Sequence, residues 1–138
     1  MKREIKFRGK DGCGTWFFGD LHQWDNGEVY IGVHSSTWSD DGLSSQSYPT
    51  FNEIDPNTVG QFTGLYDKNG KEIYEGDIVK EKEFGIVGYI AFHKQSACFR
   101  IVFSKSDIAL GNRGISGTFL EVIGNVTDNP ELLKGGEK

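Results

Sequence analysis

The chain has 138 residues, enough for one domain or two small subdomains and for a core that needs no metal or disulfide staple. Its 19 glycines against 3 prolines suit a β protein with many tight turns and argue against a helix bundle. A formal net charge of -5 weighs against a general binder of nucleic acid or anionic membrane, because phosphate affinity rests on neutralising positive charge.

Residues 3–8 alternate, with Ile5 and Phe7 on one face and Lys6 and Arg8 on the other, which predicts a half-buried strand. The G-K-D-G-C-G run at 9–14 reads as a turn, T-W-F-F-G at 15–19 as a second strand and E-V-Y-I-G-V at 28–33 as a third. Asn26-Gly27, just before that third strand, is a hairpin-type turn signal. Residues 34–56 are rich in Ser and Asp, and Trp38, Leu43, Tyr48, Phe51 and Ile54 follow no clean period. They read as a long polar loop, the expected junction between an N-terminal β subdomain at 1–56 and a C-terminal one at 57–138.

Residues 58–64 and 71–75 flank Asp67-Lys68-Asn69-Gly70, where Asn and Gly tolerate positive φ and can reverse the chain. A hairpin is expected there, followed by a strand at 77–83. Residues 84–92 (F-G-I-V-G-Y-I-A-F) are apolar on both faces, so this strand is expected to be central, with Gly85 and Gly88 at a bend or bulge. Residues 97–103 alternate cleanly, with Ala97, Phe99, Ile101 and Phe103 inward and Arg100 outward. A polar loop at 104–117 and a last strand at 118–126 follow. Pro130 then opens a short helical turn that Asp128 or Asn129 caps. The order of strands after Gly76 predicts a small SH3-like barrel in the C-terminal half of an all-β protein.

Three blocks carry a likeness to known proteins: I-K-F-R at 5–8, I-D-P-N-T-V-G-Q-F-T-G-L-Y-D-K-N-G-K-E-I-Y-E-G-D-I-V at 54–79, and E-V-I-G-N-V-T-D-N-P-E-L-L at 121–133. In these blocks the chain resembles the YopX family of bacteriophage and prophage proteins. The matched positions read as structural are Gly60, Gly64, Asn69, Gly70, Gly76, Asp77, Gly124, Asn125 and Pro130. The resemblance implies a mostly β protein of phage origin in the bacterial host cytosol. It also implies self-association into a homo-oligomer. The family has no assigned biochemical activity, so the resemblance carries over no catalytic residue and no cofactor.

Two cysteines, Cys13 and Cys98, are too few for a secreted disulfide framework. No signal peptide is visible and the longest apolar stretch, 86–92, is too short to span a bilayer, so a soluble cytoplasmic protein is expected. No metal site is expected: Cys13, Cys98, His22, His34 and His93 include no C-x-x-C pair. A Cys98 nucleophile with His93 as base would need geometry the spacing does not supply, and Cys98 reads as a small packed hydrophobe. Glu75 and Asp77 could converge on a cation or act as an acid/base pair; the simpler reading has Gly76 turning the chain and Asp77 accepting backbone N–H bonds. Asp67 and Asn69-Gly70 invite a cation or phosphate loop, but turn formation alone accounts for them. No phosphate-loop, nucleophile-elbow or H-E-x-x-H motif occurs.

The remaining candidates are rings. Trp16, Phe17, Trp24, Tyr30 and Trp38, with Tyr48, read first as core or subdomain-interface residues, next as a protein-binding patch, and last as a base-stacking platform beside Lys6 and Arg8. The expectation is a non-catalytic protein, not an enzyme, that binds a host or phage protein or itself. The alternative is a nucleic-acid accessory protein built on the basic N-terminal strand.

Overall fold

The computed structural model describes the backbone of residues 4–38, 45–103, 107–109 and 119–135, and the side chains of 4–33, 50–103 and 119–133. The fold is mainly β, with two antiparallel sheets and one helical turn. The strands are β1 Phe7–Lys10, β2 Trp16–Gln23, β3 Val29–Trp38, β4 Ser45–Ile54, β5 Gly60–Tyr66, β6 Glu72–Tyr74, β7 Asp77–Glu81, β8 Val87–His93, β9 Cys98–Val102, β10 Asp107–Ala109 and β11 Leu120–Asn125. A 3-10 turn at Pro56–Thr58 precedes β5, and the short helix α1 spans Glu131–Gly135. Strands pair in the orders β4-β3-β2-β1-β5-β6 and β10-β9-β8-β7-β11. Among the described residues no helix is long and apolar enough to cross a membrane.

Contacts divide the described residues into two compact units, 4–61 and 62–135. The division falls five residues beyond the expected end at 56, and local bonds explain why. Asp55 N–H donates to the Lys10 carbonyl at 2.9 Å, Lys10 N–H donates to Thr58 Oγ1 at 2.8 Å, and Gly60 and Gln61 pair with Arg8 and Phe7 of β1. The 3-10 turn and the start of β5 therefore belong with the N-terminal strands. Among the described residues Val29, Ile31 and Ile54 are the buried large apolar ones of this unit.

The expected long loop at 34–56 is largely a hairpin. β3 and β4 pair without a break from Val29↔Ile54 to Trp38↔Ser45. Its Ser-rich residues show no apolar period, and the ladder instead satisfies their backbone N–H and C=O groups. Pro49, which has no N–H to donate, sits in β4, an outer strand of its sheet.

In the second unit Ile73, Val79, Ile90, Ile101 and Leu120 form the buried cluster, with Leu65, Phe99, Phe103 and Val122 packed against it. β8 is the middle strand of five, as its two apolar faces demand. The register runs regularly through Gly88, so that glycine marks no bulge. Its role is close approach: a Cβ there would lie 2.7 Å from the Val102 carbonyl oxygen. The irregular pairings fall elsewhere, between Phe62 and Tyr66 and between Val122 and Gly124. β10 and β11 are the outer strands, and the pairings among the described residues do not close a barrel.

The Asp67-Lys68-Asn69-Gly70 hairpin forms where it was expected. Asp67 Oδ1 accepts N–H bonds from Asn69 and Lys71, both at 2.9 Å, and Oδ2 accepts from Val122 at 3.0 Å. Burial pushes the Asp67 carboxyl up, but the bonds from Val122, Lys71 and Asn69 and the Lys71 charge outweigh it and hold the group below its ordinary value. After β6 the chain turns at Gly76, whose N–H donates to the Ile90 carbonyl at 2.8 Å and whose carbonyl accepts from Val126. Asp77 is buried and its Oδ2 accepts the Tyr74 N–H at 2.7 Å. Near the end, Asn125 Oδ1 accepts from Thr127 and Asp128 at 3.0 and 2.8 Å. Asn129 Oδ1 accepts from Asn125 N–H at 3.3 Å, so its side chain closes the preceding turn, and the Pro130 carbonyl accepts from Leu133.

Candidate functional site

Asn26 and Gly27 reverse the chain between β2 and β3. Trp24 N–H donates to the Glu28 carbonyl at 2.9 Å and Gly27 N–H to the Trp24 carbonyl at 3.0 Å. Glu28 N–H donates to Asn26 Oδ1 at 2.9 Å. Gly27 has φ +93°, which a residue with a side chain rarely adopts. This turn sets His22 opposite Tyr30 and Asp20 opposite Gly32. Across β3, Tyr30 lies opposite Glu53 and Gly32 opposite Phe51. Side chains alternate along a strand, so His22, Tyr30 and Phe51 share one face while Leu21, Ile31 and Ile54 share the other.

The second face is the buried one. On the first, Trp24 is 62% exposed and Phe51 52% exposed. Gly32 makes room there: a Cβ at that position would lie 3.2 Å from the Phe51 ring and 3.4 Å from His22 Nε2. The His22 and Phe51 rings meet edge to face, with centroids 4.8 Å apart and planes at 84°. Trp24 and Tyr30 lie 6.4 Å apart, also at 84°. Together with Asn26 and Glu28, these four rings line an open cavity of about 630 Å³. That size suits a ligand or an inserted side chain, since binding pockets run to roughly 300–1,000 Å³.

Tyr30 donates its hydroxyl proton to Glu28 Oε2 at 3.0 Å. That hydrogen bond, with lesser effects of burial and of the Glu28 and Glu53 charges, raises the phenol above its ordinary value of 10.0. Tyr30 is thus a neutral ring carrying a carboxylate on its hydroxyl.

The YopX protein family model matches residues 6–134. The chain belongs to the YopX family. It is similar over 96% of its length to the crystal structure of protein EF1440 from Enterococcus faecalis, covering 99% of that chain with a TM-score of 0.59 and 23% identity. At that identity the likeness concerns the fold. No curated protein matches.

The sequence-predicted residues of this YopX protein separate into groups. Trp24 and Tyr30 come together in the groove. Trp16 does not: the Arg8 guanidinium lies 5.0 Å from its ring centroid and Lys10 Nζ 5.9 Å. Arg8 is only 8% exposed, and Lys6 pairs with Glu4 at 3.1 Å. Arg8 faces Phe18, four residues before His22, which puts the basic strand about 13 Å along β2 from the groove. Trp38 and Tyr48 lie in β3 and β4, and their side chains fall outside the described residues.

Cys13 is exposed in the turn after β1, and Cys98 is half-buried. The Ser96 hydroxyl bridges His93 Nδ1 at 2.8 Å and Cys98 Sγ at 3.2 Å, in the β8–β9 turn. Among the described residues no group of three or more His, Cys, Asp or Glu is arranged to hold a metal ion. The sequence reading missed His22, Glu28 and Phe51 as partners of the two groove aromatics. The period-two spacing of His22 and Trp24 was a usable signal; Phe51 was hidden by the loop assignment.

Proposed function

We propose that this YopX protein is a non-catalytic binding module whose contact surface is the β2–β3–β4 face of its N-terminal unit. The observation that carries this is the groove of exposed rings around Trp24 and Phe51. Trp and Tyr in such patches supply much of the affinity at protein interfaces. Charge decides the class of partner. Among its described side chains the unit holds three cations, Lys6, Arg8 and Lys10, against seven carboxylates (Glu4, Asp11, Asp20, Asp25, Glu28, Glu53 and Asp55). Such a surface repels a phosphate backbone, which favours a protein partner, or a second copy, over nucleic acid. The C-terminal unit serves as an SH3-like scaffold. The family resemblance supports a phage-encoded protein acting in the bacterial cytosol.

The test is capture from a bacterial lysate by the wild type and by Trp24→Ala/Phe51→Ala, with molar mass in solution measured for both. Loss of a captured partner, or of a dimer, in the variant is expected. Identical capture and identical mass would overturn the proposal.

A further inference from the structure

Resting on the reading of this face as a protein-binding surface, we infer that the groove receives a basic side chain, the ammonium of a lysine or the guanidinium of an arginine in a partner polypeptide. Ring geometry is the first support. Trp24 and Tyr30 both line the cavity, their rings edge to face with centroids 6.4 Å apart and planes at 84°. A cation entering the cavity comes within about 6 Å of a ring, the range over which a ring quadrupole attracts it.

The second support is the carboxylate. Glu28 lines the same cavity and accepts only one hydrogen from Tyr30 in the contact described, leaving acceptor sites for a charged donor. Glu53, opposite Tyr30 in the register, adds a second negative charge beside that ring. The third support is the charge balance of the unit, seven carboxylates to three cations among its described side chains, with Arg8 and Lys10 placed over Trp16 at the other end of β2. An anionic ligand would meet Glu28 and Glu53 at once. A purely apolar one would desolvate the Glu28 carboxylate with only the Tyr30 hydroxyl to offset its charge.

The experiment titrates acetyl-lysine-amide, acetyl-arginine-amide and the uncharged acetyl-norleucine-amide into the ¹⁵N-labelled full chain, following the Trp24 indole N–H. Single Trp→Phe variants assign the three indole signals. Lysine and arginine amides are expected to shift Trp24 saturably and leave Trp16 in place. The norleucine amide should bind at least about 5-fold more weakly, and Glu28→Gln should weaken the lysine amide about 5-fold, with Glu53→Gln weakening it in the same direction. Added salt should weaken binding as well. Equal affinity for norleucine and lysine amides would overturn the inference, as would a stronger Trp24 shift with an oligo-thymidine strand. If no amide shifts Trp24 while Trp24→Ala/Phe51→Ala still abolishes partner capture, the basic-side-chain inference fails and the protein-binding reading stands. If neither effect occurs, both fail.

Discussion

Replacing Asp67 removes the two carboxylate oxygens that accept three hydrogen bonds in one turn. Oδ1 serves Asn69 and Lys71, and Oδ2 ties the turn to β11 through Val122 N–H. Bonds to a charged acceptor contribute about 1.5–3 kcal/mol each. They will not sum here. Asn69 and Lys71 are exposed, so water replaces the lost partner of those two donors; Val122 is half-buried and its N–H is left poorly satisfied. Lys68 continues to hold the turn, through its N–H to the Leu120 carbonyl at 2.9 Å and its ammonium to Glu121 at 3.0 Å. Asp67→Ala should therefore cost about 3–4 kcal/mol and Asp67→Asn about 2–3, the amide keeping one acceptor but turning an N–H toward Val122. The assay is equilibrium urea unfolding followed by circular dichroism. The pH dependence gives an independent check. The folded carboxyl sits below its ordinary 3.8, so the native state binds its proton less readily than the unfolded chain. Its stabilisation is full above that value and is lost as pH falls through the lower folded one. The gap between wild type and Asp67→Asn should thus narrow from pH 5 toward pH 2. A cost for Asp67→Ala below about 1 kcal/mol at pH 7, or a gap that stays constant with pH, would refute the reasoning.

Two further outcomes are expected. Gly88→Ala should destabilise by about 2–3 kcal/mol in the same urea assay, because its Cβ would meet the Val102 carbonyl at 2.7 Å, Phe103 at 2.9 Å and Ile101 at 3.0 Å in a packed sheet; a cost near zero would mean that β8 and β9 can separate freely. In an ultraviolet titration, Tyr30 should ionise above the ordinary 10.0, and Glu28→Ala should bring it down. Because the folded value is raised, the stabilisation from this pair is present below the unfolded value and lost as pH rises through the folded one. A Tyr30 signal unmoved by Glu28→Ala, which removes acceptor and charge together, would remove Glu28 as the cause.

Local backbone chemistry was legible without a structure. Asn26-Gly27 and Asp67-Lys68-Asn69-Gly70 reverse the chain because their own residues favour those torsions. The two apolar faces of the segment around Ile90 required neighbours on both sides, and β8 has them. Other features depended on partners distant in sequence. The polar stretch after Val33 gave no periodic signal, and its strands exist through the ladder β3 makes with β4. His22 and Phe51 are separated along the chain by an entire hairpin, and only register brings their rings together. Asp67 reads as a simple turn residue until β11 arrives with Val122. Short-range torsional preference belongs to each residue and its neighbours, so the chain alone determined the turns and the β character. Which side chains share a face, and with them the groove, depends on cross-strand pairing, which tertiary structure alone decided.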